Sequence, residues 1–189
     1  MLGAYLEPGA TAGLLQVPAR ELTDRVVRLD DLWGAAGARL AEDVADLNEP
    51  ARVDRFEAAL CERLRRARRP PSHVDAIGLA RWARQEPAAM SVHRLAAAAG
   101  VSRQHLARIF REVIGVSPKR YCRLARFHAA LAYAGAGSDV QWAEVAAELG
   151  YADQSHMIAE FRELSGLTPD SLATQRWFHP FILEARSRL

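Results

Sequence analysis

The sequence predicts an all-α fold: two helix-turn-helix subdomains joined by a long linker helix and preceded by a helical hairpin. Three observations predict it. Apolar residues recur at i, i+3, i+4 and i+7 through most of the 189 residues. Ser, Asp, Asn or Pro stands where such stripes begin and Gly where they end, as helix caps require. One segment also occurs twice, with Phe110, Arg111, Gly115 and Pro118 matched by Phe161, Arg162, Gly166 and Pro169 at an offset of 51.

Residues 1–28 hold Pro8, Gly9, Gly13 and Pro18, leave room for one short helix at Ala10–Leu15, and read as the tail of something that precedes them. Leu29, Leu32, Trp33, Ala36, Leu40, Val44 and Leu47 keep helical spacing and predict a single helix of about five turns. Asn48 and Pro50 stop it, and Pro50 suits the first turn of a second helix with Val53, Phe56, Leu60 and Leu64 on one face. So short a connection predicts an antiparallel hairpin. In RLRRARRPPS, Arg63 to Ser72, a basic cluster meets a double proline. It reads as a solvated helix end followed by a linker rather than a nucleic-acid contact, because cations suit a helix C-terminus. Residues 1–71 are therefore a helical connector. His73 to Glu86 predicts a further helix with Leu79, Trp82 and Ala83 inward, stopped by Pro87.

The first helix-turn-helix unit, 91–115, pairs a short helix in LAAAAG, Leu95 to Gly100, with the run Val101 to Pro118. Ser102 is an N-cap, Leu106, Ile109, Phe110 and Val113 form the inner stripe, and Arg103, Gln104, Ala107, Arg108 and Arg111 fall off it. Gly115 closes the helix, and Ser117 with Pro118 starts the next. That helix, to Ala134, would span roughly 25 Å at the α-helical rise. Leu124, Phe127, Leu131 and Ala134 lie on its inner side, with Lys119, Arg120, Arg123 and Arg126 near its start. Gly135–Asp139 ends it. In the second unit, 141–166, Gly150 matches Gly100 at an offset of 50, so its turn carries one extra residue. Asp153 caps its second helix, Met157, Phe161 and Leu164 face inward, and Gln154, Ser155, His156 and Ala159 stay outside. Residues 178–189 form a C-terminal tail.

A net charge of +2 hides a segregation of sign. Between Ser91 and Ser138, Arg94, Arg103, Arg108, Arg111, Lys119, Arg120, Arg123 and Arg126 face only Glu112, a local excess of +7. Such a surface meets phosphates. Beyond Ser138 acids outnumber bases, and Glu160 reads as a charge that phosphates repel, so the first unit is expected to supply most of the affinity. No His, Cys or carboxylate spacing suits zinc, and no nucleophile elbow, phosphate-binding glycine loop or zincin helix occurs. The expectation is a protein that is no enzyme and needs no cofactor. Cys61 and Cys122 read as reduced, mostly buried thiols. Without a signal-like N-terminus or a run of about 20 apolar residues, a cytoplasmic location is expected.

The tandem motif with its connecting helix, above all GYADQSHMIAEFRELSGLTP, resembles the signature of the AraC/XylS family of bacterial transcription regulators, over about Ser72 to Trp177. GATAGLLQVPARELTDRVVRLDDLWG is similar to the stretch that, in one branch of the family, ends a β-rich, cupin-like sensor and enters the connector. Almost none of such a sensor is present. The resemblance implies a sequence-specific regulator bound to double-stranded DNA. Arg103, Gln104, Ala107 and Arg108 would read bases in the first unit, and Gln154, Ser155 and Ala159 in the second. The chemistry agrees: Arg pairs with guanine, Gln with adenine, and Ala meets a thymine methyl. Arg111, Lys119, Arg120, His156 and Arg162 complete the expected DNA-facing set. His105 and His156 read equally as contacts or as residues half-buried beside their turns; His93, His128 and His179 read as surface or packing residues. Two such units on one face of B-DNA would stand about 34 Å apart, letting a monomer read two successive groove segments. The competing reading is a protein-interaction module that docks on RNA polymerase or a full-length relative, and the N-terminal helices are candidates for a homodimer contact.

Overall fold

A computed structural model describes residues 3–4, 6–67, 74–134 and 140–173. Among them all regular structure is helical, and no helix is long and apolar enough to cross a membrane. Residues 68–72 of the predicted helix end and linker, the Gly135–Asp139 stop and the 178–189 tail lie outside the described residues. The chain forms two compact units, one from residues 1–80 and 101–117, the other from 81–100 and 118–189.

The first unit holds α1 (Ala10–Leu15), a 3-10 turn (Ala19–Glu21), α2 (Leu29–Trp33), α3 (Ala35–Ala45) and α4 (Glu49–Arg66). The start of α5 (Ala76–Gln85) and α7 (Arg103–Val113) also belong to it. The short helix at Ala10–Leu15 is where the sequence put it. The single helix expected from Leu29 to Leu47 is two, because Gly34 sits at φ 58°, ψ −140°, a conformation that a side chain strongly disfavours. Ala36, expected inside, is therefore exposed. Leu14, Trp33 and Leu40 form the core of this part, with Phe56, Ala59 and Leu60 of α4 packed against it. α3 and α4 run antiparallel: Arg55 pairs with Asp43 at 2.6 Å, Arg52 Nε donates to the Val44 carbonyl at 2.7 Å, and the Arg63 guanidinium lies 4.6 Å from the Trp33 ring centroid. Asn48 caps α4, accepting from the Ala51 N–H at 3.2 Å.

The packed face of α4 is rotated from the predicted one. Arg63, stacked on Trp33, occupies its middle, which leaves Val53 and Leu64 at the margin, 43 % and 50 % exposed. Cys61 is exposed too, against expectation, whereas Cys122 is buried and burial pushes its thiol pKa up. At the other end of this unit, residues 9–23 meet the C-terminal end of α7. Gly115 follows α7 at φ 97°, and its N–H bonds the Phe110 carbonyl at 3.0 Å. The Thr23 hydroxyl donates to the Gly115 carbonyl at 2.8 Å, and a Cβ on Gly115 would come within 2.7 Å of that hydroxyl oxygen.

The second unit holds the end of α5, α6 (Val92–Ala98), α8 (Pro118–Ala134), α9 (Trp142–Glu148), α10 (Gln154–Ser165) and α11 (Pro169–Ala173). Its core gathers Phe127 and Leu131 from α8, Trp142 and Val145 from α9, Met157 and Phe161 from α10, and Leu172 from α11. Phe161 is completely buried, 4.6 Å from Phe127 and 6.5 Å from Trp142 between ring centroids. Helix α11 has no counterpart in the sequence reading. Thr168 begins it, its hydroxyl accepting from the Ser171 N–H at 3.2 Å, and Trp142 Nε1 donates to Asp170 at 2.5 Å.

Candidate nucleic-acid interface

In α7 the cap, the buried stripe and the outer face all follow the sequence. Ser102 Oγ accepts from the His105 N–H at 3.2 Å, and Leu106, Ile109, Phe110 and Val113 are buried. At about 100° per residue, Arg103, Gln104, Ala107, Arg108 and Arg111 fall within an arc of about 140° away from that stripe. All are exposed except Ala107, which is half-buried. Among the described residues no acid pairs with Arg103, Arg108 or Arg111. Glu112, the one nearby carboxylate in sequence, turns to Arg20 at 3.4 Å. The helix thus offers three cations and an amide on one face, with no acid among the described residues paired to those cations. His105 is exposed, and only its backbone N–H serves the cap.

The second unit supplies its own set. Lys119 and Arg120 are exposed in the first turn of α8. The turns before α7 and α10 correspond, with Gly100 at φ 64° and Gly150 at φ 71°, and the second is one residue longer, as expected. Asp153 Oδ1 caps α10 by accepting from the His156 N–H at 2.7 Å. Gln154, Ser155, His156, Ala159 and Arg162 are all exposed. His156 Nδ1 accepts from the Ala152 N–H at 3.4 Å, and its ring stands edge-on to Tyr151 at 5.6 Å.

Glu160 overturns an expectation. It is 4 % exposed and does not reach the outer face of α10. Arg123 Nε donates to its Oε2 at 2.7 Å, Arg126 stands 3.6 Å from the same oxygen, and the Tyr151 hydroxyl donates to Oε1 at 2.9 Å. Arg123 goes on to grip Glu163 through Nη1 at 3.0 Å and Nη2 at 2.5 Å. The arrangement shifts ionisation as electrostatics requires. Glu163 and then Glu160 hold the Arg123 guanidinium charged well beyond its ordinary range, and Arg123 pulls the Glu163 pKa down. Burial, reinforced by Glu160, raises the Tyr151 pKa above the usual tyrosine value.

The sequence held the signal for this. At the repeat offset of 51, Glu160 corresponds to Ile109, as Met157 does to Leu106 and Phe161 to Phe110. The repeat therefore places Glu160 on the core side. Its partners also revise the charge footprint: Arg123 and Arg126 are engaged inside the unit. Arg94 is held too, by the Ala89 carbonyl at 2.8 Å, by Glu86 at 3.7 Å and over the Trp82 ring at 5.2 Å. Of the eight cations between Ser91 and Ser138, Arg123 and Arg126 are half-buried and the other six, Arg94, Arg103, Arg108, Arg111, Lys119 and Arg120, are exposed.

Residues 95–175 match the family described as helix-turn-helix domain, the AraC/XylS type. This segment is a helix-turn-helix domain of the AraC/XylS type, a domain of DNA-binding transcription regulators. Among solved structures, the chain is similar to the DNA-binding domain of AdpA, a global transcriptional factor, in complex with a target DNA. Identity is 24 %, the TM-score 0.46, and the match covers 60 % of this chain and 94 % of that one. It is also similar to the C-terminal domain of AraT, a response regulator from Geobacillus stearothermophilus, at 20 % identity and a TM-score of 0.44, covering 53 % and 94 %. The xylose-binding transcription activator xylR is similar at 19 % identity and a TM-score of 0.46, covering 65 % of this chain but 38 % of that one. No curated protein sequence matches. Among the described residues, no group of His, Cys, Asp and Glu is arranged to hold a metal ion.

Proposed function

We propose that this chain reads two successive major-groove segments of its target, α7 entering one and α10 the other, with residues 72–177 as the DNA-binding domain and 1–71 as its connector. The carrying observation is the outer face of α7, where Arg103, Arg108 and Arg111 stand exposed beside Gln104 and no acid pairs with the three arginines among the described residues. Arginines left unpaired on a capped, rigid helix suit both bidentate guanine recognition and phosphate attraction. In this reading Arg103, Gln104, Ala107 and Arg108 meet base edges, while Arg111, Lys119 and Arg120 meet phosphates. Gln154, Ser155 and Ala159 read the second segment, and His156 and Arg162 hold the backbone beside it. With one cation on its outer face, α10 contributes less charge and α7 more of the affinity.

Selection of bound duplexes from a random-sequence library, followed by shift assays at two salt concentrations, tests the reading. An enriched two-part motif with steeply salt-dependent binding is the expected result. Retention without sequence enrichment, or salt-insensitive capture of RNA polymerase in place of DNA, would replace it with the protein-interaction reading.

A further inference from the structure

We propose that Glu160 is a positioning residue for DNA reading: its buried carboxylate ties α10 to α8 and to the preceding turn, and so sets the pose in which α10 meets the second groove segment. The inference rests on the function proposed above.

Three features carry it. First, the charge is not what this position needs for packing. The equivalent residue of the first repeat is Ile109, and buried ion pairs are commonly no more stabilising than apolar side chains of similar volume. Second, the contacts are directional. One oxygen takes Arg123 Nε, the other takes the Tyr151 hydroxyl, and Arg126 stands beside the first. Apolar contacts such as those of Met157 and Phe161 constrain a helix less sharply in rotation and in travel along its axis. Third, the Arg123 guanidinium spans Glu160 and Glu163, which are one helical turn apart, so a single α8 side chain fixes both the rotation and the height of α10. Tyr151, in the turn, joins the same carboxylate, and Arg126 lies 4.9 Å from the centroid of its ring. Base recognition tolerates errors of only about 0.5 Å in the groups that make it, and this network supplies the support that Gln154, Ser155 and Ala159 need.

The test uses the full chain and a duplex selected by the wild-type protein from a random-sequence library. Base substitutions are scanned through both segments, and affinities are compared for wild type, Glu160→Gln, Arg123→Gln and Glu163→Gln. Wild type is expected to lose roughly tenfold or more at each critical base of either segment. Glu160→Gln should keep that penalty in the segment read by α7 and lose most of it in the segment read by α10, falling below about threefold. Arg123→Gln breaks the same link from α8 at a partly solvated position, and it should give the same pattern even where Glu160→Gln fails to fold. Glu163→Gln should have the smaller effect. Retained discrimination in both segments, or an equal loss in both, would overturn the proposal. So would sequence-uniform weakening of Arg123→Gln with a flatter salt slope, which would make Arg123 a phosphate ligand. If wild type itself discriminates in one segment only, the two-segment reading fails instead, and this inference falls with it.

Discussion

The salt dependence of DNA binding measures how many exposed cations reach phosphates. Arg103, Arg108, Arg111, Lys119, Arg120 and Arg162 are the six exposed cations among the proposed DNA-facing residues. Each phosphate contact on B-DNA contributes roughly −0.9 to the slope of log K against log salt. If all six reach phosphates the slope is about −5, and if Arg103 and Arg108 go to bases it is about −3.6. Were Arg94, Arg123 and Arg126 to join them, it would approach −8. The internal partners of those three place the expected slope between about −3.5 and −5.5. Shift assays or fluorescence anisotropy on a selected duplex across a salt series read it directly. Lys119→Ala and Arg120→Ala should each flatten the slope by about 0.9 and weaken all sequences alike, whereas Arg126→Gln should leave it unchanged. A wild-type slope near −8, or a flatter slope for Arg126→Gln, would refute the assignment of these arginines to contacts within the fold.

Arg103→Ala should cost about 1–3 kcal/mol in binding to the selected duplex and relax preference at one base position; an unchanged preference in a repeat selection would exclude a base contact. Gly115→Ala should destabilise the fold by about 1–3 kcal/mol, because the left-handed backbone and the 2.7 Å approach to Thr23 both oppose a Cβ. An unaltered thermal midpoint would contradict that packing. Tyr151 should ionise well above the ordinary tyrosine value of 10.0, visible in an absorbance titration as a late tyrosinate step that Tyr151→Phe removes. Because the folded state keeps that proton longer, the stabilisation is present below pH 10 and is lost as pH rises toward the folded pKa. A Tyr151 step at the ordinary tyrosine value would count against its bond to Glu160.

Local rules carried the sequence a long way. Ser102, Asp153 and Asn48 cap helices as their types predict, and the Leu106–Val113 stripe is buried. The extra residue in the second turn is where the glycine offsets put it. What failed was tertiary. Nothing in the Leu29–Leu47 periodicity reveals the break at Gly34, nor that the packed face of α4 carries Arg63 against Trp33 while Val53 and Leu64 stay exposed. The fate of Arg123 and Arg126 depends on partners distant in sequence, so a charge count overstates the phosphate-facing surface. Glu160 is the instructive case. Its charge type argued for the surface, the repeat argued for the core, and the repeat was right.

The central claim is that one chain reads two groove segments, and a hydroxyl-radical footprint of the full chain on its selected duplex tests it most directly. Two protected segments on one face of the DNA, about one helical turn or 34 Å apart, are predicted, with Gln154→Ala weakening protection of one and Arg103→Ala of the other. Protection of a single segment, or protection that does not depend on sequence, would contradict the account.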